Sequence, residues 1–150
     1  TGAAIGAHVY LALSHLDNEG TDAQKAHYLT KGIAGEIFGC LAITEPGGGS
    51  DVAAMRTTAK RDGDHYIING SKTFITNGAH ADLYMLFGKW SEIADARKAI
   101  TALVVEKGTP GLSVVREEDK MGLRASSTAT LPAIQLRPGF KRQPRRGCRP

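Results

Sequence analysis

Only two cysteines occur in the 150 residues, Cys40 and Cys148, and they stand far apart. That scarcity argues against a disulfide-held scaffold. With no Cys-x-x-Cys or His-Glu-x-x-His spacing, it also argues against a zinc site and favours a reducing compartment. The five histidines (His8, His15, His27, His65 and His80) form no ligand set. His8 and His15, seven apart, share a helix face in the manner of surface polar residues. No apolar run approaches the ~20 residues of a membrane-spanning helix, and no signal-peptide pattern is present. Because the chain starts at Thr1 rather than Met, it reads as a piece of something longer, and the missing signal says little about targeting.

Acidic residues are absent from 131–150, "LPAIQLRPGFKRQPRRGCRP", which carries Arg137, Lys141, Arg142, Arg145, Arg146 and Arg149. Setting those six aside from the 19 Lys and Arg leaves 13 basic against 15 acidic residues in 1–130, a net charge of −2. The overall +4 therefore resides in a Pro- and Arg-rich tail without periodicity, the composition of a disordered segment. Such a tail can bind polyanions, but nothing in the body supports a nucleic-acid partner. What remains is ordinary for a soluble globular domain, 41% hydrophobic and 23% charged. A chain of this size buries roughly 70% of its unfolded surface.

The first 36 residues carry helix signals. Ile5, Val9, Leu13 and Leu16 fall on one face, and Gly20 sits where a C-cap glycine belongs. Thr21-Asp22-Ala23-Gln24 then fits a capping box opening a second helix with Tyr28, Leu29 and Ile33. From Ile37 the pattern changes to short β-forming stretches, "IFGCLAI", "HYIIN", "TFIT", "LYMLF", "AITALVVE" and "LSVVRE". Between them lie turn signals at Asp62-Gly63-Asp64, Asn69-Gly70, Asn77-Gly78, Lys107 to Gly111 and Met121-Gly122. Asn-Gly between apolar strands predicts a hairpin, because both residues tolerate positive φ. Residues 91–98 read as a longer polar loop. Many short strands with no long helix between them predict an antiparallel barrel or sandwich and exclude a doubly wound sheet.

"AITEPGGGSD", Ala42 to Asp51, raises the functional question, since three consecutive glycines give up much backbone freedom on ordering. They form either a loose loop or a place where bare backbone meets a ligand. Neither "GGGSDV" nor "NGSKTF" matches a dinucleotide fingerprint or a P-loop. Glu45 and Asp51 flank the loop but do not read as a general acid/base pair. Glu45 precedes a proline and anchors the turn, while Asp51 is placed to cap the residues after Ser50.

Taken together, "CLAITEPGGGSD" and "NGSKTFITNG" resemble the acyl-CoA dehydrogenase family, whose middle domain carries a TEPxxGSD segment and an NGxKxxITNG segment. "GTDAQKAHYLTKGIAGE" resembles the family's helices before that domain, and "ITALVVEKGTPGLSVVREEDKMGLRASSTATL" its second half, so the likeness covers about Gly20 to Leu131. The resemblance implies a mainly β fold, an antiparallel β-barrel preceded by two α-helices. Residues 1–38 would close an N-terminal helical domain, 39–134 would form the barrel, and 135–150 an aberrant basic tail.

It also implies FAD as cofactor and α,β-desaturation of acyl-CoA thioesters. The cofactor-binding residues would be Leu41, Ala42, Ile43, Thr44, Gly49, Ser50, Phe74, Ile75 and Thr76. Backbone at Leu41 and Ile43 and the Thr44 hydroxyl would meet the flavin's pyrimidine edge, favouring the charge that arrives on reduction. Thr76 would lie near O4 and N5. Phe74 stands where the family often has Trp, keeping the aromatic face without the N–H. Ser50 and Ser127 would contact substrate. No catalytic base is expected within these residues, since the family's carboxylate lies in a C-terminal helical domain, so the chain alone is expected to be inactive.

Implied partners are the acyl-CoA substrate, an electron-transfer flavoprotein and further copies of the full-length subunit, with no nucleic acid and no membrane. The implied location is cytoplasmic, or the mitochondrial matrix in a eukaryote. After Leu131 the family's strand pattern stops abruptly, which suggests a shifted reading frame or an artefactual end. Two alternatives stand beside this reading. An acyl-CoA oxidase or nitroalkane oxidase shares the barrel, although an intact TEPGGGSD favours a dehydrogenase. A non-catalytic β-barrel binding module would give the same strand pattern.

Overall fold

The computed structural model describes residues 2–63, 65–114 and 116–136. Two helices come first. The opening one spans residues 2–19, α-helical over Gly2–Gly6 and Ser14–Glu19 and π-helical over Ala7–Leu13. The i→i+5 bonding of a π turn shifts the buried face away from the spacing expected of an α-helix. Ala7, His8, Ala12, Leu13 and Leu16 are buried, whereas Ile5 and Val9 point to solvent. The apolar periodicity was therefore right only for its last two members.

Gly20 ends the helix with an extended backbone (φ −69°) rather than a left-handed one. Glycine is needed there because a Cβ would fall 2.3 Å from the Leu16 carbonyl oxygen. The second helix, residues 22–33, opens with the expected capping box, Thr21 accepting from the Gln24 N–H and Gln24 accepting from the Thr21 N–H.

Seven strands follow among the described residues: β1 (Gly39–Ala42), β2 (Thr58–Asp62), β3 (His65–Thr76), β4 (Leu83–Trp90), β5 (Ile100–Glu106), β6 (Arg116–Glu117) and β7 (Thr128–Leu136). They form one sheet in the order β1-β4-β2-β3-β7-β6, with β5 on the other edge of β4. β1 and β2 both run parallel to β4, and no pairing among the described residues joins β5 to β6. The expected antiparallel barrel is thus corrected to a mixed sheet that does not close. Alternation and turn chemistry report where strands begin and end, not which ones pair.

β1 and β2 lie end to end along a single edge of β4, facing Leu83–Leu86 and then Lys89-Trp90. The chain between them, residues 43–57, leaves that edge and returns to it. This is the segment that carries the three glycines.

Burial alternates through the central strands. Leu83, Met85 and Val104 face the helices together with Ala12 and Leu16. Tyr84, Leu86, Leu103 and Val105 face a second core with Cys40, Ala42, Ala59, Ile68, Ile75 and Leu131. Both faces of β4 are covered, which accounts for the unbroken apolar run "LYMLF".

His8 joins the layers. Its Nδ1 accepts from the Gly39 N–H at 2.9 Å, which leaves Nε2 to donate to the Gly32 carbonyl at 3.1 Å. It is a buried core histidine, not the surface residue expected, and no cluster of metal ligands exists among the described residues.

The two Asn-Gly signals diverge. Asn77 adopts φ 69° and turns the chain between β3 and β4, strands that do not pair. Asn69-Gly70 makes no turn and lies inside β3, so the expected hairpin there is absent. The glycine serves a close approach instead, since a Cβ at Gly70 would lie 2.3 Å from Thr57 Oγ1 and 2.8 Å from Thr57 Cα. The true β2–β3 hairpin closes at Gly63, φ 57°. Residues 91–98 form the polar connection expected between β4 and β5. β7 continues its pairing with β3 to Leu136, so the first two residues of the expected 135–150 tail belong to the strand, and 137–150 lie outside the described residues.

Gly70→Ala is expected to destabilise the fold by about 1–3 kcal/mol through overpacking against backbone, read as a lower urea midpoint at unchanged slope.

Candidate functional site

The loop 43–57 is held to the sheet by one buried ion pair. Glu45 and Lys72 meet at 2.8 Å, and the Lys72 side chain is 0% exposed. Glu45 Oε2 accepts from the Arg56 N–H (2.6 Å) and Oε1 from the Thr57 N–H (2.9 Å), while Lys72 also donates to the Ile43 carbonyl (3.1 Å). One carboxylate and one ammonium therefore clamp both ends of the loop to the middle of β3. The Thr73 N–H adds a bond to the Thr44 carbonyl (2.9 Å), and Glu45 and Gly48 exchange two backbone bonds that close the Pro46-Gly47 turn.

Burial by itself would raise the Glu45 carboxyl. The Lys72 ammonium and the Arg56 and Thr57 N–H groups outweigh that and hold it at about 2. Burial pulls the Lys72 ammonium down, and the Glu45 carboxylate opposes the shift. A carboxylate so fixed anchors the turn, as expected, and is no proton shuttle. Asp51 precedes a short 3-10 turn, Val52–Ala54, but its side chain makes no cap; the Asp51 carbonyl accepts from the Ala54 N–H instead.

The glycines answer a different need from those at Gly20 and Gly70. A Cβ on Gly47 or Gly48 would meet nothing within 4 Å, and one on Gly49 only the Thr44 methyl at 3.5 Å. None of the three has positive φ. The chain's own packing therefore does not demand glycine here, and the bare backbone faces open space.

The expected residues lie on β1, on this loop, on β3 and just before β7. Thr44 is half-buried, and neither its N–H nor its hydroxyl has a hydrogen-bond partner among the described residues. Phe74 projects outward, 64% exposed, from a left-handed backbone (φ 56°) within an irregularity of the β3–β7 register. Such strain costs on the order of 1 kcal/mol in a non-glycine residue and tends to be retained at functional positions. The alternative of Phe74 as a core residue is excluded.

Thr76 is half-buried and lies opposite Thr128. Ser127 is buried, with a hydroxyl lacking a partner among the described residues. Its carbonyl accepts from the Asn77 N–H at 2.9 Å. Ser50 and Gly49 are exposed on the loop. Ala42 and Ile75, in contrast, are core residues at 0% and 1% exposure, so only their backbone is available to a ligand. Leu41 packs beside the helix-side core, and the Ile43 carbonyl is already taken by Lys72.

Lys72 and Asn77 were missed as individual residues. Lys72 and Glu45 are 27 apart in sequence, and nothing local pairs them. Asn77 ties the first helix to this region through a bond from Nδ2 to the Ala4 carbonyl at 2.9 Å. Its own carbonyl accepts from the His80 and Ala81 N–H groups. The Asn-Gly signal located Asn77, but only as a turn.

By fold and edge, the molecule falls in the class of mixed-sheet domains with a helical layer on one face and an open, glycine-lined loop at the strand ends. The profile of the acyl-CoA dehydrogenase middle domain matches residues 40–133, and the chain belongs to the acyl-CoA dehydrogenase family. It is 46% identical over 131 residues to the mitochondrial isovaleryl-CoA dehydrogenase of Pongo abelii, covering 87% of this chain and 31% of the relative.

Among solved structures, butyryl-CoA dehydrogenase from Megasphaera elsdenii superposes with a TM-score of 0.84 at 36% identity, covering 89% of this chain and 35% of that one. A glutaryl-CoA dehydrogenase from Mycobacterium smegmatis in complex with FADH2 gives 0.74 at 35% identity, covering 83% and 31%. The chain thus spans about a third of the length of the relatives it matches.

Glu45 links stability to acid. Its folded value of about 2 lies below the ordinary 4.5, so its contribution is complete above pH 4.5 and is lost as pH falls toward 2. Glu45→Gln is expected to cost about 3–5 kcal/mol at pH 7, because it also strands a buried ammonium. The variant's stability should show a shallower slope between pH 4.5 and 2, measured by urea unfolding across that range.

Proposed function

We propose that this chain supplies the flavin-ring edge of an FAD-dependent acyl-CoA dehydrogenase, an oxidoreductase that desaturates acyl-CoA thioesters between the α and β carbons. The observation that carries the reading is the open face of Gly47 and Gly48 beside the unpartnered Thr44 N–H and hydroxyl. An exposed aromatic, Phe74, stands on the strand that the same loop is clamped to. A flat, partly apolar ring with a polar rim fits such an edge. The complex with FADH2 among the similar structures supports the choice of cofactor.

In this reading Thr44 and the backbone at Leu41 and Ile43 orient the ring's pyrimidine side, and Phe74, Ile75 and Thr76 border its other polar atoms. Ser50 and Ser127 approach the thioester substrate. FAD, when bound, supplies the hydride acceptor. These residues position it and offer hydrogen bonds where negative charge develops.

No acid among residues 1–150 is assigned to the α-proton, and Glu45 is held ionised by Lys72. The base is proposed to come from a carboxylate beyond these residues. An electron-transfer flavoprotein is the proposed acceptor, and the full-length subunit is proposed to self-associate. No helix among the described residues is long and apolar enough to cross a membrane. The proposed location is the cytoplasm, or the mitochondrial matrix in a eukaryote, in line with the mitochondrial relative.

Two measurements test the reading. In the full-length protein Gly47→Val should leave unfolding stability within about 1 kcal/mol, yet weaken FAD or acyl-CoA binding at least tenfold, followed by flavin fluorescence and by acyl-CoA titration. A ligand-indifferent Gly47→Val would remove the loop from the site. The 150-residue chain alone is also expected to bind FAD weakly or not at all and not to oxidise butyryl-, isovaleryl- or palmitoyl-CoA with a dye acceptor. Turnover by it would place the base within these residues. A full-length protein without flavin absorbance would favour the non-catalytic binding module, and rapid reoxidation by oxygen would favour an oxidase.

A further inference from the structure

Lys72 holds an unusual position for a buried cation. Its side chain is fully enclosed, yet the ammonium does not end on Glu45 alone; it also donates to the Ile43 carbonyl at 3.1 Å. That carbonyl belongs to the peptide whose N–H is Thr44's, the donor left without a partner among the described residues. A cation on the oxygen of an amide draws density toward that oxygen and makes the N–H on the other side a stronger donor, since hydrogen bonds in a chain polarise one another. Hydrogen bonds to an ionised group are roughly twice as strong as neutral ones.

We infer that Lys72 is a positioning residue that polarises the Ile43–Thr44 peptide, so that the Thr44 N–H binds the electron-rich, reduced form of the ring more tightly than the oxidised form. Lys72 does not touch the ring and acts through one amide. The inference rests on the flavin reading above and adds to it a residue that sets redox preference rather than affinity. Glu45 tempers the effect by sharing the cation. Of the two side chains at the clamp, the lysine sets the sign and the glutamate limits the size.

The test uses the pair Lys72→Met with Glu45→Gln, which removes both charges and leaves no stranded ion. Dissociation constants are measured for oxidised FAD and for dithionite-reduced FAD. A purely structural clamp, once loosened, weakens both forms by the same factor. The relay predicts that the preference for reduced over oxidised FAD falls about tenfold, the difference expected between a charge-assisted and a neutral hydrogen bond. An unchanged preference overturns the inference while leaving the cofactor reading intact.

A second readout needs no ligand. The Thr44 amide nitrogen resonance should move upfield in the double variant by several times the change at Leu41, whose peptide Lys72 does not touch. The dissociation constants are read on the full-length protein: if it binds FAD with neither pair of side chains, the cofactor reading fails and the Thr44 resonance, read in the 150-residue chain, alone decides whether the peptide is polarised; equal shifts at Thr44 and Leu41 would refute it. Should the Met pair not fold, Lys72→Gln with Glu45→Gln keeps neutral donors and acceptors in place and is read the same way.

Discussion

The contact between Glu45 and Lys72 organises everything near the loop. An ion pair taken out of water stabilises a fold only when its remaining valences are filled, and here they are. Two main-chain N–H groups complete the carboxylate, and one carbonyl completes part of the ammonium. Each of those partners comes from the detour between β1 and β2. Satisfying the charges therefore dictates the path of residues 43–57, and that path turns the glycines outward. The arrangement is more a specifier of shape than a reservoir of stability. Apolar residues of similar bulk could fill the volume but could not demand three particular backbone groups as neighbours.

The same logic separates two kinds of glycine. At Gly20 and Gly70 the missing side chain makes room for the protein's own backbone, and substitution strikes the fold. At Gly47 and Gly48 a Cβ would meet nothing within 4 Å, so the protein's own packing places no demand on the position. Sequence cannot distinguish the two, because glycine is written identically in both settings. Coordinates can, by showing what a Cβ would touch.

Local chemistry was legible where one segment decides the outcome. The capping box at Thr21 and Gln24, the turn at Gly63, the polar loop at 91–98 and the left-handed Asn77 all arise from nearest neighbours. Long-range choices were not legible. The parallel pairing of β1 and β2 with β4 depends on where a crossing segment lands, and Asn69-Gly70 gave up a favourable turn for contact with Thr57. The face of the first helix slipped because a π turn lengthens the repeat, which apolar spacing alone does not announce. The motif resemblance singled out Thr44, Phe74 and Thr76, and the structure joins the segments that carry them through the Thr73–Thr44 backbone bond. The resemblance could not show that Ala42 and Ile75 turn their side chains into the core, nor that a lysine in mid-strand holds the loop down.

β1 and β2 share one rail, the edge of β4, with the loop as a siding between them. Adding or removing residues in the siding shifts neither strand along the rail, so its length is decoupled from the register of the sheet. The arrangement separates two duties: the edge of β4 fixes where the sheet stands, and the clamp alone fixes where the loop between β1 and β2 goes.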